Sequence, residues 1–261
     1  MGYTIAVSGK GGTGKSTVSA LMVRCIMERF DKATLAVDAD PNFTLGPLLG
    51  VDVEETIADL RDDVVEKRMD IPAGVPKDRQ IEYCIQKSIV ERSKFDLLTM
   101  GRPEGPNCYC YVNNLLRKHL DRAQADYPFT VIDNEAGMEH LSRRTTNNVD
   151  LMVIVSEATM PGVLVAERIR KMTSELPIEI RRILCVVNRV GPEGVPPVIR
   201  DAFESRDIEI AAELEFDQEI QKASVEGKSL LDISSTNGMY KSVCVFLTSE
   251  INTVNTASRR D

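Results

Sequence analysis

The sequence is poor in the residue types that mark several large classes of protein. It contains no tryptophan, two histidines and only 5% aromatic residues. Its net charge of −8 at pH 7 does not favour broad electrostatic binding to nucleic acid or to anionic lipid. No apolar run approaches the roughly 20 residues that a membrane-spanning helix needs, and the first residues read as a strand rather than as an export signal. We therefore expect a cytoplasmic protein that binds neither nucleic acid nor membrane.

Cysteine is too sparse and too scattered to predict a disulfide framework. The chain has six cysteines in 261 residues, and a reducing cytosol keeps such thiols free. Three of them lie in apolar stretches and are expected to be small core residues: Cys25, Cys185 and Cys244. Cys84 lies in a segment of ambiguous pattern and receives no role. The remaining two, Cys108 and Cys110, form a Cys-x-Cys motif.

The rest of the composition is that of an ordinary folded domain, with 43% hydrophobic and 28% charged residues. Segments with a strand pattern alternate with helical segments along the chain, which predicts an α/β fold. We predict a single domain over residues 1–250 with a mostly parallel central sheet, of about seven strands, flanked by helices. The last helix is predicted over Asn237–Glu250, and residues 251–261 are expected to form a disordered tail.

The segment Gly9–Ser16 reads GKGGTGKS and fits the phosphate-binding pattern G-x-x-x-x-G-K-[ST]. It follows an apolar strand, Tyr3–Ser8, and precedes a helical pattern over Thr17–Phe30, which is the context that this loop requires. Its glycines let backbone N–H groups surround a polyphosphate. Lys15 is expected to reach the β- and γ-phosphates, and Ser16 to hold Mg²⁺. The predicted nucleotide contacts in this region are Gly9, Lys10, Gly11, Gly12, Thr13, Gly14, Lys15, Ser16 and Thr17.

Lys10 occupies a position at which the ordinary phosphate-binding pattern has no requirement. The segment Lys10–Ser16 resembles the deviant loops, K-G-G-x-G-K-S, of the MinD and nitrogenase iron protein class of ATPases. The resemblance implies the fold of that class, ATP as the nucleotide, and a lysine that crosses to the nucleotide of a second subunit. Such a lysine would act as arginine fingers do, for which the rate effect is roughly 10³ to 10⁵. Hydrolysis is therefore expected to require a homodimer, with Lys10 and Lys15 as catalytic residues.

Acidic residues end two further predicted strands. The strand Ala33–Val37 is followed by D-A-D-P, and the strand Phe129–Asp133 is followed by N-E-A-G. Ligands of open α/β sheets bind at these carboxyl ends. The second segment has the Walker B pattern, in which Asp133 would hold Mg²⁺ through water and the N–H of Gly137 would bond the γ-phosphate.

By the same resemblance, the D-A-D-P segment is the first nucleotide-sensing switch. Asp40 would orient the attacking water and contact Mg²⁺, and Asp38 would support the Mg²⁺ shell. Asp40 could instead only cap the turn at Pro41, because aspartate is common in such turns.

Cys108 and Cys110 follow a third predicted core strand, Phe95–Met100, and a loop rich in glycine and proline, Gly101–Pro106. They precede a predicted helix over Val112–Gln124, whose N-terminus would favour thiolates. Two cysteines do not complete a four-coordinate metal site, whereas four cysteines from two subunits around a two-fold axis do. A nickel or zinc site, a redox pair and two unrelated thiols all remain open.

Three segments resemble a narrower family: Gly101–Cys110, Asn113–Arg117 and Asp133–Arg143. They look like those of the CooC family, the nickel-insertion ATPases that mature carbon monoxide dehydrogenase. The similarity extends from the first strand to about Gly227. It implies an ATP-dependent metallochaperone that binds nickel or zinc through Cys-x-Cys at a dimer interface, with carbon monoxide dehydrogenase or acetyl-CoA synthase as its client.

Two other functions remain open. The first is a positioning ATPase of the MinD or ParA type, which predicts a membrane helix or a basic patch, and neither is evident in the sequence. The second is an iron–sulfur reductase like the nitrogenase iron protein, which has a cysteine after Walker B. This chain has no cysteine between Asp133 and Cys185.

Two further polar positions have more than one interpretation. Asn188 and Arg189 follow the sixth predicted strand, Arg182–Val187. An asparagine offers a donor and an acceptor that match the N1 and N6 edge of adenine, and the resembled family reads the base here. Asn188 could instead close the turn before Gly191. His140 is open between a third metal ligand and a polar group that senses the phosphate.

Overall fold

The computed structural model describes residues 2–59, 76–101, 126–135, 148–175 and 178–257. Four residues with predicted roles lie outside these ranges: Cys108, Cys110, Gly137 and His140. The helix predicted over Val112–Gln124 lies outside them as well.

The described residues form one sheet of eight strands. The strands are β1 (Tyr3–Gly9), β2 (Thr34–Ala39), β3 (Ile89–Glu91), β4 (Phe95–Thr99), β5 (Phe129–Asn134), β6 (Asn148–Glu157), β7 (Glu179–Val190) and β8 (Ile210–Glu215). They lie in the order β3-β4-β2-β5-β1-β6-β7-β8. Every neighbouring pair is parallel except β3 with β4. The mostly parallel α/β sheet is therefore confirmed, with one strand more than the expected seven.

Helices cover both faces of this sheet. They are α1 (Lys15–Arg29), α2 (Leu45–Leu48), α3 (Lys77–Ser88), α4 (Met160–Glu175), α5 (Pro197–Glu204), α6 (Gln218–Glu226) and α7 (Gly238–Ala257), with a 3₁₀ turn at Leu230–Asp232. Helix α6 is capped at both ends: Asp217 caps its first turn by accepting the N–H of Ile220, and Gly227 ends it in the left-handed conformation at φ 64°.

The segment Gln80–Ser93, whose pattern leaves a helix and a strand pair open, contains residues 80–88 of α3 followed by β3. One segment differs from the predictions. The last helix does not end at Glu250 but continues to Ala257, so residues 251–257 are helical rather than part of a disordered tail. Ile251 is buried against the core and no glycine or proline follows before Ala257, so nothing in this stretch stops the helix.

The core has a layer on each face of the sheet. On one face, α1 and α7 pack against the sheet and against each other, and residues Val18, Leu21 and Met22 of α1 are fully buried. On the other face, α4 and α5 pack under β6 and β7. Strands covered on both faces become continuous apolar runs, which is why they are conspicuous in the sequence. The three cysteines expected in the core are buried.

Candidate functional site

The loop between β1 and α1 has a backbone shape that the sequence imposes. Gly14 immediately precedes α1 and has φ 93°, in the left-handed region that favours glycine. A Cβ atom on Gly14 would lie 2.4 Å from Nδ2 of Asn188. A Cβ atom on Gly9 would lie 2.2 Å from the carbonyl oxygen of Val155. Thr13 closes the loop, because its hydroxyl donates to the carbonyl of Lys10 at 2.9 Å. The two glycines therefore allow a close approach that any side chain would prevent.

The two lysines of this loop have different surroundings. Lys15, the first residue of α1, is 6% exposed, and its Nζ lies 3.4 Å from the carbonyl oxygen of Lys10. Lys10 is exposed. A buried ammonium group at the base of the loop can neutralise bound phosphate in its own subunit, whereas an exposed lysine can reach a second molecule.

Two buried carboxylates lie side by side at the carboxyl end of the sheet. Asp38 of β2 and Asp133 of β5 are partners in the parallel register, and both are fully buried. Asp38 accepts the N–H of Asp40 at 3.1 Å and that of Leu45 at 2.9 Å. Asp133 accepts the hydroxyl of Ser19 on Oδ1 at 3.1 Å, and its Oδ2 has no hydrogen-bond partner among the described residues. A buried carboxylate oxygen without a partner is suited to a ligand that carries positive charge or donates a proton.

Burial changes the ionisation of this pair. Loss of solvation raises the pKa of Asp133 to about 7; the nearby charge of Asp38 also raises it, while the hydroxyls of Ser16 and Ser19 and the ammonium group of Lys15 lower it. Loss of solvation likewise raises the pKa of Asp38 to about 6, against hydrogen bonds from backbone N–H groups. The ionised forms are therefore unfavourable in the empty site, and a divalent cation would stabilise them.

Asp40 and Ser16 border the same space as the loop. Oδ1 of Asp40 accepts both the N–H and the side-chain amide of Asn42, at 2.9 and 2.8 Å. The turn-capping interpretation of Asp40 is thus realised, although the side chain also lines the cavity described next. The Ser16 hydroxyl lies 2.6 Å from that of Thr44. Sequence reasoning missed Thr44 because no spacing pattern connects it with the phosphate-binding loop.

A cavity of about 740 Å³ lies over the loop. Its volume falls in the range of small-molecule sites. One wall is the loop itself, a second is the turn that follows Asp40, and a third is the end of α6. The lining residues are Gly11, Gly12, Gly14, Lys15, Ser16, Thr17, Asp40, Pro41, Asn42, Phe43, Thr44, Pro47, Leu48, Glu135, Arg189, Ser224, Gly227 and Lys228.

A second cavity, of about 440 Å³, adjoins the first. Four residues border both cavities: Gly14, Thr17, Arg189 and Ser224. The second is otherwise lined by Asn188, Glu215, Phe216, Asp217, Ile220, Gln221 and Met239. A phosphate group and a base can therefore occupy adjoining spaces on the two sides of Gly14.

Asn188 lies between these cavities and is 4% exposed. Its Nδ2 donates to the carbonyl of Thr13 at 2.8 Å, and its Oδ1 accepts the N–H of Arg189 at 2.9 Å. The second bond is the turn-closing contact, and it accompanies a left-handed φ of 57° at Arg189. One N–H donor and one acceptor lone pair of the Asn188 amide remain unused. Recognition of the N1 and N6 edge of adenine requires one donor and one acceptor.

Residues 4–231 match the family model of the CobQ/CobB/MinD/ParA nucleotide-binding domain. The chain belongs to this family. The match includes the loop, both buried carboxylates and every residue that lines the two cavities except Met239. The cavity over the loop is accordingly the candidate nucleotide site.

Three relatives extend this comparison. An uncharacterized ATP-binding protein of Methanocaldococcus jannaschii is 41% identical over 92% of this chain and 94% of its own length. The carbon monoxide dehydrogenase accessory protein CooC of Rhodospirillum rubrum is 29% identical over 88% of this chain and 90% of its own length. The structure of the septum site-determining protein MinD of Pyrococcus horikoshii with Mg-ADP has a TM-score of 0.69 and 20% identity, and the match covers 98% of each chain. This last likeness shows the fold.

Among the described residues, no group of three or more histidine, cysteine, aspartate or glutamate side chains could hold a metal ion. Cys108 and Cys110 lie outside the described ranges. No helix within those ranges is long and apolar enough to cross a membrane.

Proposed function

We propose that the protein is an ATPase that binds ATP with Mg²⁺ and hydrolyses it as a homodimer in the cytoplasm. The observation that carries this proposal is the position of the buried pair Asp38 and Asp133 next to a phosphate-binding loop with an additional lysine. Ser16, Asp40 and Asp133 would hold the Mg²⁺ ion, whose charge would offset that of the phosphates and carboxylates.

The remaining tasks in this mechanism fall to the two lysines, to Asp40, which also contacts Mg²⁺, and to the residues around the base and the γ-phosphate. Lys15 neutralises the β- and γ-phosphates of its own subunit, and Asp40 orients the attacking water. Lys10 stabilises the charge that develops on the phosphoryl group bound by the partner. The base lies against Asn188 and Arg189 in the second cavity. The N–H of Gly137 bonds the γ-phosphate. When hydrolysis removes the γ-phosphate, this bond is lost and the loop that contains Gly137 is released.

The dimer requirement is tested by changing the two lysines separately. Lys10→Ala should abolish most hydrolysis while ATP affinity remains nearly unchanged, because Lys15 makes the contacts within the subunit. Lys15→Ala should lose ATP affinity. Mixing the two variants should restore part of the activity, since a subunit with Lys15 intact is then paired with one that supplies Lys10. Normal turnover by Lys10→Ala would contradict the proposal.

We further propose that ATP turnover supports the insertion of nickel into carbon monoxide dehydrogenase or acetyl-CoA synthase. The support is the Cys108-Tyr-Cys110 motif together with the 29% identity to CooC of Rhodospirillum rubrum. Two thiolates from each subunit would form one four-coordinate site for nickel or zinc at the dimer axis. Nickel is the cargo of the reaction in this proposal.

The metal site is tested by equilibrium dialysis with Ni²⁺ and with Zn²⁺, together with a measurement of molecular size. One metal ion per dimer is expected. Either Cys108→Ser or Cys110→Ser should abolish tight metal binding. Each substitution is present in both subunits of the dimer and therefore removes two of the four ligands. Cys84→Ser is the matched control and should bind normally. One ion per subunit, or binding that survives both serine changes together, would refute this site. Absence of metal binding by the unchanged protein would favour a MinD-type switch instead.

A further inference from the structure

Asn237 joins the two helices that border the second cavity. It directly precedes α7, and its side chain is 6% exposed. Its Nδ2 donates to Oδ2 of Asp217 and to Oε2 of Glu219, both at 2.9 Å. Its Oδ1 accepts the N–H of Tyr240 at 3.0 Å in the first turn of α7. Both N–H groups of the amide are therefore used within the protein, and Asn237 has no donor left for a ligand.

The bond to Asp217 holds a residue that lines the second cavity. Asp217 is the N-cap of α6, and its Oδ1 accepts the N–H of Ile220 at 3.0 Å. Its Oδ2 is the atom that Asn237 holds, so the carboxylate is fixed from two directions. The neighbouring Phe216 is 52% exposed, and its N–H reaches the carbonyl of Val190 at 3.2 Å. The side chain of Asn237 is thus the contact that ties this part of the cavity wall to α7.

Glu219 strengthens the same junction. Its Oε1 accepts the N–H of Ser234 at 2.8 Å, while Oε2 accepts from Asn237. Two carboxylates therefore converge on one amide nitrogen. Without a donor between them, the two negative charges would repel each other and displace the start of α6. The cavity is also lined by Met239 of α7, two residues after Asn237, so a shift of α6 relative to α7 at this junction changes the shape of the cavity.

We propose that Asn237 is a positioning residue for the base of the nucleotide. It holds Asp217 and the start of α6 at the distance from α7 that the base needs, without contact with the nucleotide itself. The inference rests on the proposed binding of ATP with its base in the second cavity. None of these three side-chain hydrogen bonds of Asn237 goes to the phosphate-binding loop, so the effect of Asn237 should be confined to the base half of the ligand.

The test compares the binding of ATP with that of inorganic tripolyphosphate, which has the phosphates but no base, both in the presence of Mg²⁺. Asn237→Ala removes the hydrogen bonds to both carboxylates. It should weaken ATP binding at least about tenfold, which is the effect expected for one hydrogen bond to a charged group, and leave tripolyphosphate binding unchanged. Asn237→Asp keeps the shape and the acceptor for Tyr240 but faces two carboxylates, so the loss should be larger. Thermal melts without ligand show whether each variant is folded.

A paired exchange separates positioning from general damage. Asp217→Asn combined with Asn237→Asp again places one donor opposite one acceptor, and should recover at least about threefold of the ATP affinity lost in Asn237→Asp. Glu219→Ala, which leaves the bond between Asn237 and Asp217 intact, should have a smaller effect than Asn237→Ala. Equal losses for ATP and tripolyphosphate, or no recovery in the paired exchange, would overturn the proposal. If the unchanged protein bound neither ligand, the proposed function would fail rather than this inference.

Discussion

Asp133→Asn is the substitution that most directly tests the electrostatics of the empty site. Burial raises the pKa of Asp133 from 3.8 to about 7. At 1.36 kcal/mol per pKa unit, ionised Asp133 destabilises the folded protein by about 4 kcal/mol above pH 7. Asparagine removes this charge but places an amide N–H₂ where Oδ2 has no partner, which costs about 1–3 kcal/mol. The ligand-free variant should therefore be about 1–3 kcal/mol more stable than the unchanged protein near pH 8.

The stability difference between the unchanged protein and Asp133→Asn should also depend on pH. Between about pH 4 and pH 7, the folded protein keeps a proton on Asp133 that the unfolded chain has released, so the free energy of unfolding falls as the pH rises. The asparagine variant lacks this dependence. Between about pH 8 and pH 5, its stability advantage should shrink by about 3 kcal/mol, which is the part of the shift that lies in this interval.

Urea denaturation from about pH 5 to pH 8, in the presence of a chelator and without nucleotide, measures this difference. Asp201→Asn is the matched control, because it makes the same chemical change at an exposed position of α5 that borders neither cavity. With Mg²⁺ and ADP added, the order should reverse, since the unchanged carboxylate would then have its cation. A stability difference that is the same at both ends of the pH range would show that Asp133 is ionised throughout, and would refute the reasoning.

Two further substitutions test the loop and the attacking water. Asp40→Asn should bind ATP and accumulate as a closed dimer, while turnover falls at least about 10²-fold, as expected for the loss of a water-positioning carboxylate. Single-turnover assays with a measurement of molecular size check this. A wild-type rate would assign the water-positioning role to Asp38 instead. Gly14→Ala should weaken ATP binding strongly, because the new Cβ would lie 2.4 Å from Nδ2 of Asn188. The left-handed backbone conformation also costs about 1–2 kcal/mol for a residue other than glycine. Gly191→Ala meets no atom within 4 Å and is its control in the same titration; equal affinities of the two variants would contradict the close approach of Asn188.

The sequence predicts the centre of the fold well because three local signals agree there. The central strands β1, β2 and β5 are continuous apolar runs, these runs lead to Gly9, Asp38 and Asp133, and the helix after Gly14 begins where the loop pattern requires it. The register that places Asp38 beside Asp133 follows from this order of strands. Parallel neighbours with acidic ends must bring those ends together.

Other features depend on contacts between distant residues and could not be predicted. The approach of Asn188 to Gly14 joins β7 to the first loop, and the bond from Thr44 to Ser16 joins two loops that have no common pattern. From the sequence, Asn237 is only the first residue of the last predicted helix. Its hydrogen bond to Asp217 becomes visible only when α6 and α7 are placed side by side. The extension of α7 to Ala257 could not be predicted because its last residues are mostly polar, as those of a tail are, and Asn252 and Thr253 are exposed.

The central claim is that the nucleotide controls the metal held by Cys108 and Cys110. The most direct measurement loads the dimer with Ni²⁺, adds ATP and Mg²⁺, and follows the released metal with a chromophoric chelator. Release should proceed with turnover in the unchanged protein, and Asp40→Asn should retain the metal because it holds ATP without hydrolysing it. If nickel left both proteins at the same rate, with ATP or without it, ATP turnover would not control metal release. This result would contradict the proposed function in nickel insertion.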